Sequence, residues 1–216
     1  MTEPVPSALR GATSALVADA LDALGLREQA AHPRVKPLFR GARTVGRAYP
    51  VSVIEDLDEP DEPYAGEMDA LTAMSPGDVG VYAVDPGSRA AAWGELFSCG
   101  AIGRGAVGVV VDGCVRDATQ IEELGFPVFA VDTSPLDTRA RARVDAHGSP
   151  VDFAGVTVSR GDLVVADVDG VIFVPATAVD AVAALVAKKK PLEAGARDDL
   201  VNGMPIGDVW TKYGVF

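Results

Sequence analysis

The sequence predicts an α/β domain, and three observations predict it. Between residues 75 and 175, short Val-rich runs alternate with segments of helical periodicity. The run at 107–111 (VGVVV) is apolar throughout, as befits a strand buried on both faces. With 48% hydrophobic and 23% charged residues among 216, the chain can bury a proper core and lies outside the disordered class. It reads as a single domain over 1–216, with an acidic loop near 55–69 and a C-terminal helical extension at 177–216.

The elements follow in order. Thr13 or Ser14 can cap a helix whose Leu16, Val17, Ala20, Leu21 and Leu24 share one face, and Gly25 can stop it. Residues 46–54 place Arg47, Tyr49, Val51 and Val53 on one side of a strand. Residues 55–69 hold eight carboxylates and no base, which is most of the chain's net charge of −12, and are expected to form a solvated, extended loop. Two similar turns, Ser75-Pro76-Gly77-Asp78 and Ser159-Arg160-Gly161-Asp162, feed strands at 79–84 and 163–166. Residues 93–102 and 117–124 read as helices, 127–131, 139–144, 151–158 and 171–174 as strands. A helix at 179–190 is closed by three lysines that suit its negative end, and Pro191 is expected to begin a separate segment carrying Glu193 and Arg197.

Composition excludes several functions. An acidic chain without a basic stripe disfavours nucleic acid as a partner. No basic start followed by an apolar run, and no stretch of about 18 apolar residues, points to a membrane, so a cytoplasmic location is expected. Cys99 and Cys114 each lie in an apolar stretch without a CxxC or a nearby His, and are expected to be buried thiols in a reducing compartment. His32 and His147 are too isolated to suggest a triad and are expected at the surface. Catalysis would therefore fall to carboxylates, Arg and a metal.

Two motifs mislead. Residues 103–108 spell GxGxxG, yet the dinucleotide fingerprint needs a strand before it and a helix after it. Here the order is reversed, so a helix-to-strand turn is expected. Asp167-Val168-Asp169-Gly170 begins like a calcium loop but lacks the later ligands, and a two-residue hairpin turn at Asp169-Gly170 is expected instead.

The chemistry concentrates in WGELFSCGAIGRGAVGVVVDGCVRD, residues 93–117. Gly94-Glu95-Leu96-Phe97 begins a helix, whose first-turn amides lack partners and can cradle a carboxylate or oxyanion. Arg116 and Asp117 follow the carboxyl end of a buried strand, where open α/β sheets bind ligands. There the guanidinium can grip an oxyanion while the carboxylate holds a hard cation. The same residues also serve as ordinary caps and ion pairs in many proteins.

Trp93-Gly94-Glu95-Leu96, Arg104-Gly105, Gly108 to Asp112 and Gly113-x-Val115-Arg116-Asp117 together resemble the signature of the RraA-like family, which includes the 4-hydroxy-4-methyl-2-oxoglutarate and 4-carboxy-4-hydroxy-2-oxoadipate aldolases. The resemblance continues through Phe126-Pro127-Val128-Phe129, Gly155-Val156-x-Val158, Gly161-Asp162 and Ala166-Asp167-x-x-Gly170-Val171 to Pro175, covering most of the chain. It implies a compact α/β/β sandwich of the swivelling-domain type, assembled as homotrimers or dimers of trimers with sites between subunits. It also implies a metal-dependent class II aldolase that releases pyruvate from 4-hydroxy-2-oxo acids, with oxaloacetate decarboxylation as a side activity.

Carried over by position, the amides of Gly94, Glu95, Leu96 and Phe97 hold the pyruvyl group, and Arg116 stabilises the enolate oxygen. Asp117 binds Mg²⁺ or Mn²⁺, helped by Glu193 from a neighbouring subunit, and Glu95 orients a water for proton transfer. The family also includes a non-enzymatic regulator that binds and inhibits a ribonuclease. That branch departs from the aldolases at the GEL and RD positions, both intact here. Similar sequences also carry the name of an S-adenosylmethionine methyltransferase, for which this chain offers no glycine-rich strand-to-helix loop.

Overall fold

The computed structural model describes residues 4–59 and 61–215. Helix α1 (Ser14–Ala23) is capped by the Thr13 side chain, which accepts the Leu16 amide. A short strand β1 (Lys36–Pro37) and the long β2 (Thr44–Glu55) follow, then α2 (Ala65–Ala73), β3 (Asp78–Val84) and β4 (Ala91–Trp93). Next come α3 (Glu95–Arg104), β5 (Gly108–Val115), α4 (Ala118–Leu124) and β6 (Val128–Thr133). The remainder comprises β7 (Ala142–His147), β8 (Val151–Phe153), β9 (Val156–Val158), β10 (Leu163–Ala166), β11 (Val171–Val174), α5 (Val179–Val201) and α6 (Ile206–Tyr213).

The main sheet runs β1-β6-β5-β3-β2-β10-β11. Its centre, β6-β5-β3-β2, is parallel, and β4 also pairs parallel to β5. Antiparallel β10–β11 and β1 close its edges, and β7 lies antiparallel to the far half of β2. Strand period 2 sorts side chains between two cores. Val109, Val111, Val128 and Ala130 face the layer with α2, α3 and α4, whereas Val110 and Phe129 face the small β8–β9 sheet. A third cluster packs α1 and α5 on β10 and β11. The layering is the α/β/β sandwich expected. Helix α3 ends at Gly105, which takes φ +78° with no Cβ to oppose it, and β5 begins three residues later. The GxGxxG stretch is thus a helix-to-strand turn.

Several expectations need correction. The acidic tract is not one extended loop: β2 persists to Glu55, and α2 absorbs Glu67 and Asp69. Two of its eight carboxylates are ion-paired: Asp56 pairs with Arg143 at 2.8 Å and Glu59 accepts the Arg139 Nε–H at 2.6 Å. Pro191 does not begin a new helix but lies inside the 23-residue α5. It sits on the exposed side, where water can satisfy the carbonyl that its missing N–H leaves free. Residues 151–158 form a hairpin of two strands, β8 and β9, not one strand.

The β10–β11 turn spans four residues, 167–170, rather than two. Asp167 is buried at its corner and accepts both the amide and the hydroxyl of Ser14, at 2.8 and 2.6 Å. Cys99 is exposed on α3 and Cys114 is half-buried on β5, so neither is a core thiol. His32 and His147 are exposed as expected, His147 sharing a 2.6 Å hydrogen bond with the Tyr49 hydroxyl.

Candidate functional site

Two strand-to-helix junctions lie side by side because β4 and β5 are parallel neighbours, with Trp93 opposite Val115. Gly94 caps α3 and Asp117 caps α4. The Arg116 amide donates to the Trp93 carbonyl at 2.9 Å, tying the junctions at their closest point. Trp93 itself is fixed in the core. Its ring meets Tyr82 edge-on at 5.1 Å, and its indole N–H donates to Ser98 Oγ at 2.8 Å, whose hydroxyl in turn donates to the Gly94 carbonyl at 3.1 Å.

Gly94, Glu95, Leu96, Phe97, Arg116 and Asp117 therefore come together as the sequence predicts. With Tyr64, Met68 and Leu71 they line a cleft of about 540 Å³, and a second hollow of about 400 Å³ opens beyond Arg116 and Asp117 towards Thr133, Ser134 and Pro135. Asp117 holds a left-handed backbone, φ +58°, that aims its carboxylate back across the junction. Its Oδ2 accepts the Glu95 amide at 3.1 Å, so of the first-turn amides in the expected cradle one is already engaged. Gly94 supplies no capping side chain for the others.

A Cβ at position 94 would stand 2.8 Å from Asp117 Oδ2 and 3.1 Å from Arg116 Cγ. Gly94→Ala is thus expected to push the Arg116 and Asp117 side chains aside and to lower any turnover the cleft supports on the order of a hundred-fold while the melting temperature changes little. Steady-state kinetics beside a thermal melt check this, and wild-type turnover would remove Gly94 from the site.

Arg116 is about one-third exposed (35%) and bridges two carboxylates. Its Nε stands 3.6 Å from Asp117 Oδ2, and its Nη1 is 3.0 Å from Asp137 Oδ2, the same oxygen that accepts the Tyr64 hydroxyl at 3.0 Å. Burial alone would raise the Asp137 carboxyl, but the Arg116 guanidinium, the Arg139 amide and the Tyr64 hydroxyl hold it below the usual carboxylate range. Tyr64 moves the opposite way, raised by burial and by its bond to Asp137. Beneath them Glu67 is buried on α2; desolvation pushes its carboxyl up against the counter-pull of its own backbone and the Thr138 hydroxyl.

Sequence reasoning missed Tyr64, Glu67 and Asp137, since each lies in a stretch that reads locally as solvated and charged. The structure does not bring Glu193 to this cleft within one chain. It lies on α5 beside Lys189, 3.5 Å away. Four other arginines could by charge meet an anionic group: Arg43 bonds the Ala12 carbonyl and buried Arg47 the Gly161 carbonyl, whereas Arg139 and Arg141 lie in the loop of Asp137. Among the described residues no group of three or more His, Cys, Asp or Glu forms a metal cage, and no helix is long and apolar enough to cross a membrane.

The family model RraA-like, Aldolase/RraA, matches residues 14–173, which contain the entire cleft. The chain belongs to this RraA-like family. A Halalkalibacterium halodurans protein named "Putative 4-hydroxy-4-methyl-2-oxoglutarate aldolase" is 30% identical over 186 residues, covering 86% of this chain and 83% of that one. Protein DlpA of Legionella pneumophila is 29% identical over 75% of this chain. The chain spans only 26% of DlpA, and 57% and 60% of two further curated relatives.

Among solved structures, Streptomyces coelicolor RraAS2, described as an unusual member of the RNase ES inhibitor RraA protein family, superposes with a TM-score of 0.79 at 26% identity. That match covers 89% of this chain and 95% of the other. The RraA-like fold of this chain is thereby established.

Proposed function

We propose that this RraA-like protein is a divalent-cation-dependent class II aldolase that cleaves 4-hydroxy-2-oxo acids to pyruvate and decarboxylates oxaloacetate as a side activity. The observation that carries the reading is the pairing of junctions: the helix start at Gly94 and the Arg116-Asp117 pair face one cleft, tied by the bond between the Arg116 amide and the Trp93 carbonyl. Relatives bearing the aldolase name support it.

The donor set fits a hard cation. Asp117 offers one exposed carboxylate and no soft ligand stands beside it, which suits Mg²⁺ or Mn²⁺ that keeps most of its water. Glu193 from a neighbouring copy, in a homotrimer or a dimer of trimers, would add a second carboxylate. Bound there, the cation would polarise the substrate's 2-oxo group as a Lewis acid.

The chain's own residues do the rest. First-turn amides of α3 and Arg116 bind the 2-oxo carboxylate end. Through a water that it orients, the Glu95 carboxylate takes the proton from the C4 hydroxyl. As the C3–C4 bond breaks, C4 becomes a carbonyl and the electron pair passes into the pyruvate enolate. The Arg116 guanidinium faces the enolate oxygen where that charge develops. The water held by Glu95 returns a proton to C3, giving pyruvate. In oxaloacetate, carbon dioxide leaves in place of the carbonyl product and the same enolate remains.

A coupled pyruvate assay on 4-hydroxy-4-methyl-2-oxoglutarate, 4-carboxy-4-hydroxy-2-oxoadipate and oxaloacetate tests the reading. Pyruvate is expected with Mg²⁺ or Mn²⁺ and none with EDTA. The likeness to RraAS2 supports a second reading, a regulator that binds a ribonuclease without chemistry. Folded, metal-supplied protein that is silent on the whole panel yet inhibits a ribonuclease would establish that role instead.

A further inference from the structure

We propose that Asp137, backed by the Tyr64 hydroxyl, is a positioning residue that sets the Arg116 guanidinium for the developing oxyanion; the catalytic consequence rests on the aldolase reading above. A flexible, partly exposed arginine does not by itself stay aimed at one atom. Asp117 cannot fix it, since 3.6 Å from Nε is beyond good hydrogen-bond distance. Asp137 can, at 3.0 Å from Nη1.

The carboxylate is itself immobilised. Tyr64 donates to its Oδ2 at 3.0 Å, while the Arg139 amide reaches its Oδ1 at 3.3 Å. A guanidinium has five N–H donors, and the clamp engages one nitrogen, leaving donors for substrate.

Tyr64 is held in turn. It takes a left-handed backbone, φ +66°, rare for a residue with a Cβ and kept only where its surroundings enforce it. It immediately precedes α2, and upstream of it Asp56 pairs with Arg143 of β7 and Glu59 with Arg139 of the loop carrying Asp137. Tyr64, inside the acidic tract, thus lines the cleft and meets Arg116 through one shared carboxylate oxygen.

The test compares wild type, Asp137→Asn, Asp137→Glu and Tyr64→Phe in two measurements. Phenylglyoxal labelling of Arg116, read by peptide mapping, reports whether the guanidinium is held and needs no turnover. Pyruvate-release kinetics report kcat and KM separately. Asp137→Asn is expected to label Arg116 several-fold faster. Its kcat should fall on the order of a hundred-fold with KM little changed. Asp137→Glu should recover part of both, and Tyr64→Phe should fall between.

Unchanged labelling in Asp137→Asn, or a loss confined to KM, would overturn the proposal. Should Asp137→Asn fail to fold, Tyr64→Phe, which removes one hydroxyl, decides by the same two measurements. If wild type releases no pyruvate, the aldolase reading falls and labelling alone decides whether Asp137 holds Arg116.

Discussion

Asp117→Ala is expected to abolish pyruvate release to within the assay floor, at least about a thousand-fold below wild type. Alanine removes three things at once: the acceptor for the Glu95 amide, a side chain suited to the left-handed region, and the charge. The first two cost stability, about 1 kcal/mol for the cap and about as much for Ala at φ +58°. Asp117→Asn separates them from the third. Asn keeps the shape and an acceptor oxygen and tolerates the left-handed backbone, so its melting temperature should stay near wild type. If the charge is what catalysis needs, Asn loses as much activity as Ala, and added Mg²⁺ no longer stimulates either variant. An Asp117→Asn enzyme that retains activity would reduce Asp117 to a cap.

Arg116→Ala should lower kcat on the order of a thousand-fold with the fold intact, because the side chain is one-third exposed and leaves no cavity in the core. The diagnostic is parallel loss. Aldol cleavage and oxaloacetate decarboxylation pass through the same pyruvate enolate, so a residue that stabilises the enolate oxygen must suppress both by a similar factor. A residue that grips the distal end of the substrate would suppress only the aldol reaction. Arg116→Lys should recover part of the rate, since a point charge restores the field but not the two-sided reach towards Asp137 and substrate. Decarboxylation at the wild-type rate in Arg116→Ala would move the enolate elsewhere in the cleft.

The α/β class was legible because it depends on short-range pattern. The helix-to-strand turn at 103–108 and the buried run that follows are local statements, and the chain obeys them from Gly108 on, Val107 staying exposed before the strand. The Arg116-Asp117 half of the site was legible for the same reason, being a strand end followed by a helix start; the Gly94 half was legible only as a helix start, because β4 is three residues long and its Trp93 reads as part of the helix. What escaped depends on distance along the chain. Tyr64 and Asp137 are 73 residues apart, and nothing in either neighbourhood encodes their contact. The run of carboxylates at 55–69 invites a solvated reading residue by residue. The arginines that match them lie on the far side of the sequence, and Glu67 is buried only because α2 packs on the sheet. Pro191 failed as a boundary because a helix anchored through Val179, Val182, Val186 and Ala196 loses less by carrying one proline on its wet side than by ending there.

The bond from the Arg116 amide to the Trp93 carbonyl also bears on how this protein can diverge. It uses main-chain atoms only, so no side-chain substitution short of proline at 116 deletes it, and it fixes the spacing of two junctions whose side chains remain open to change. Between them, the exposed face of α3 can be rewritten provided Ser98 and Ala101 stay buried and both strands stay in register. The pair of junctions is thus a backbone-defined cassette: new chemistry can be tried by exchanging four or five side chains on it, while the frame that sets their spacing is inherited unchanged.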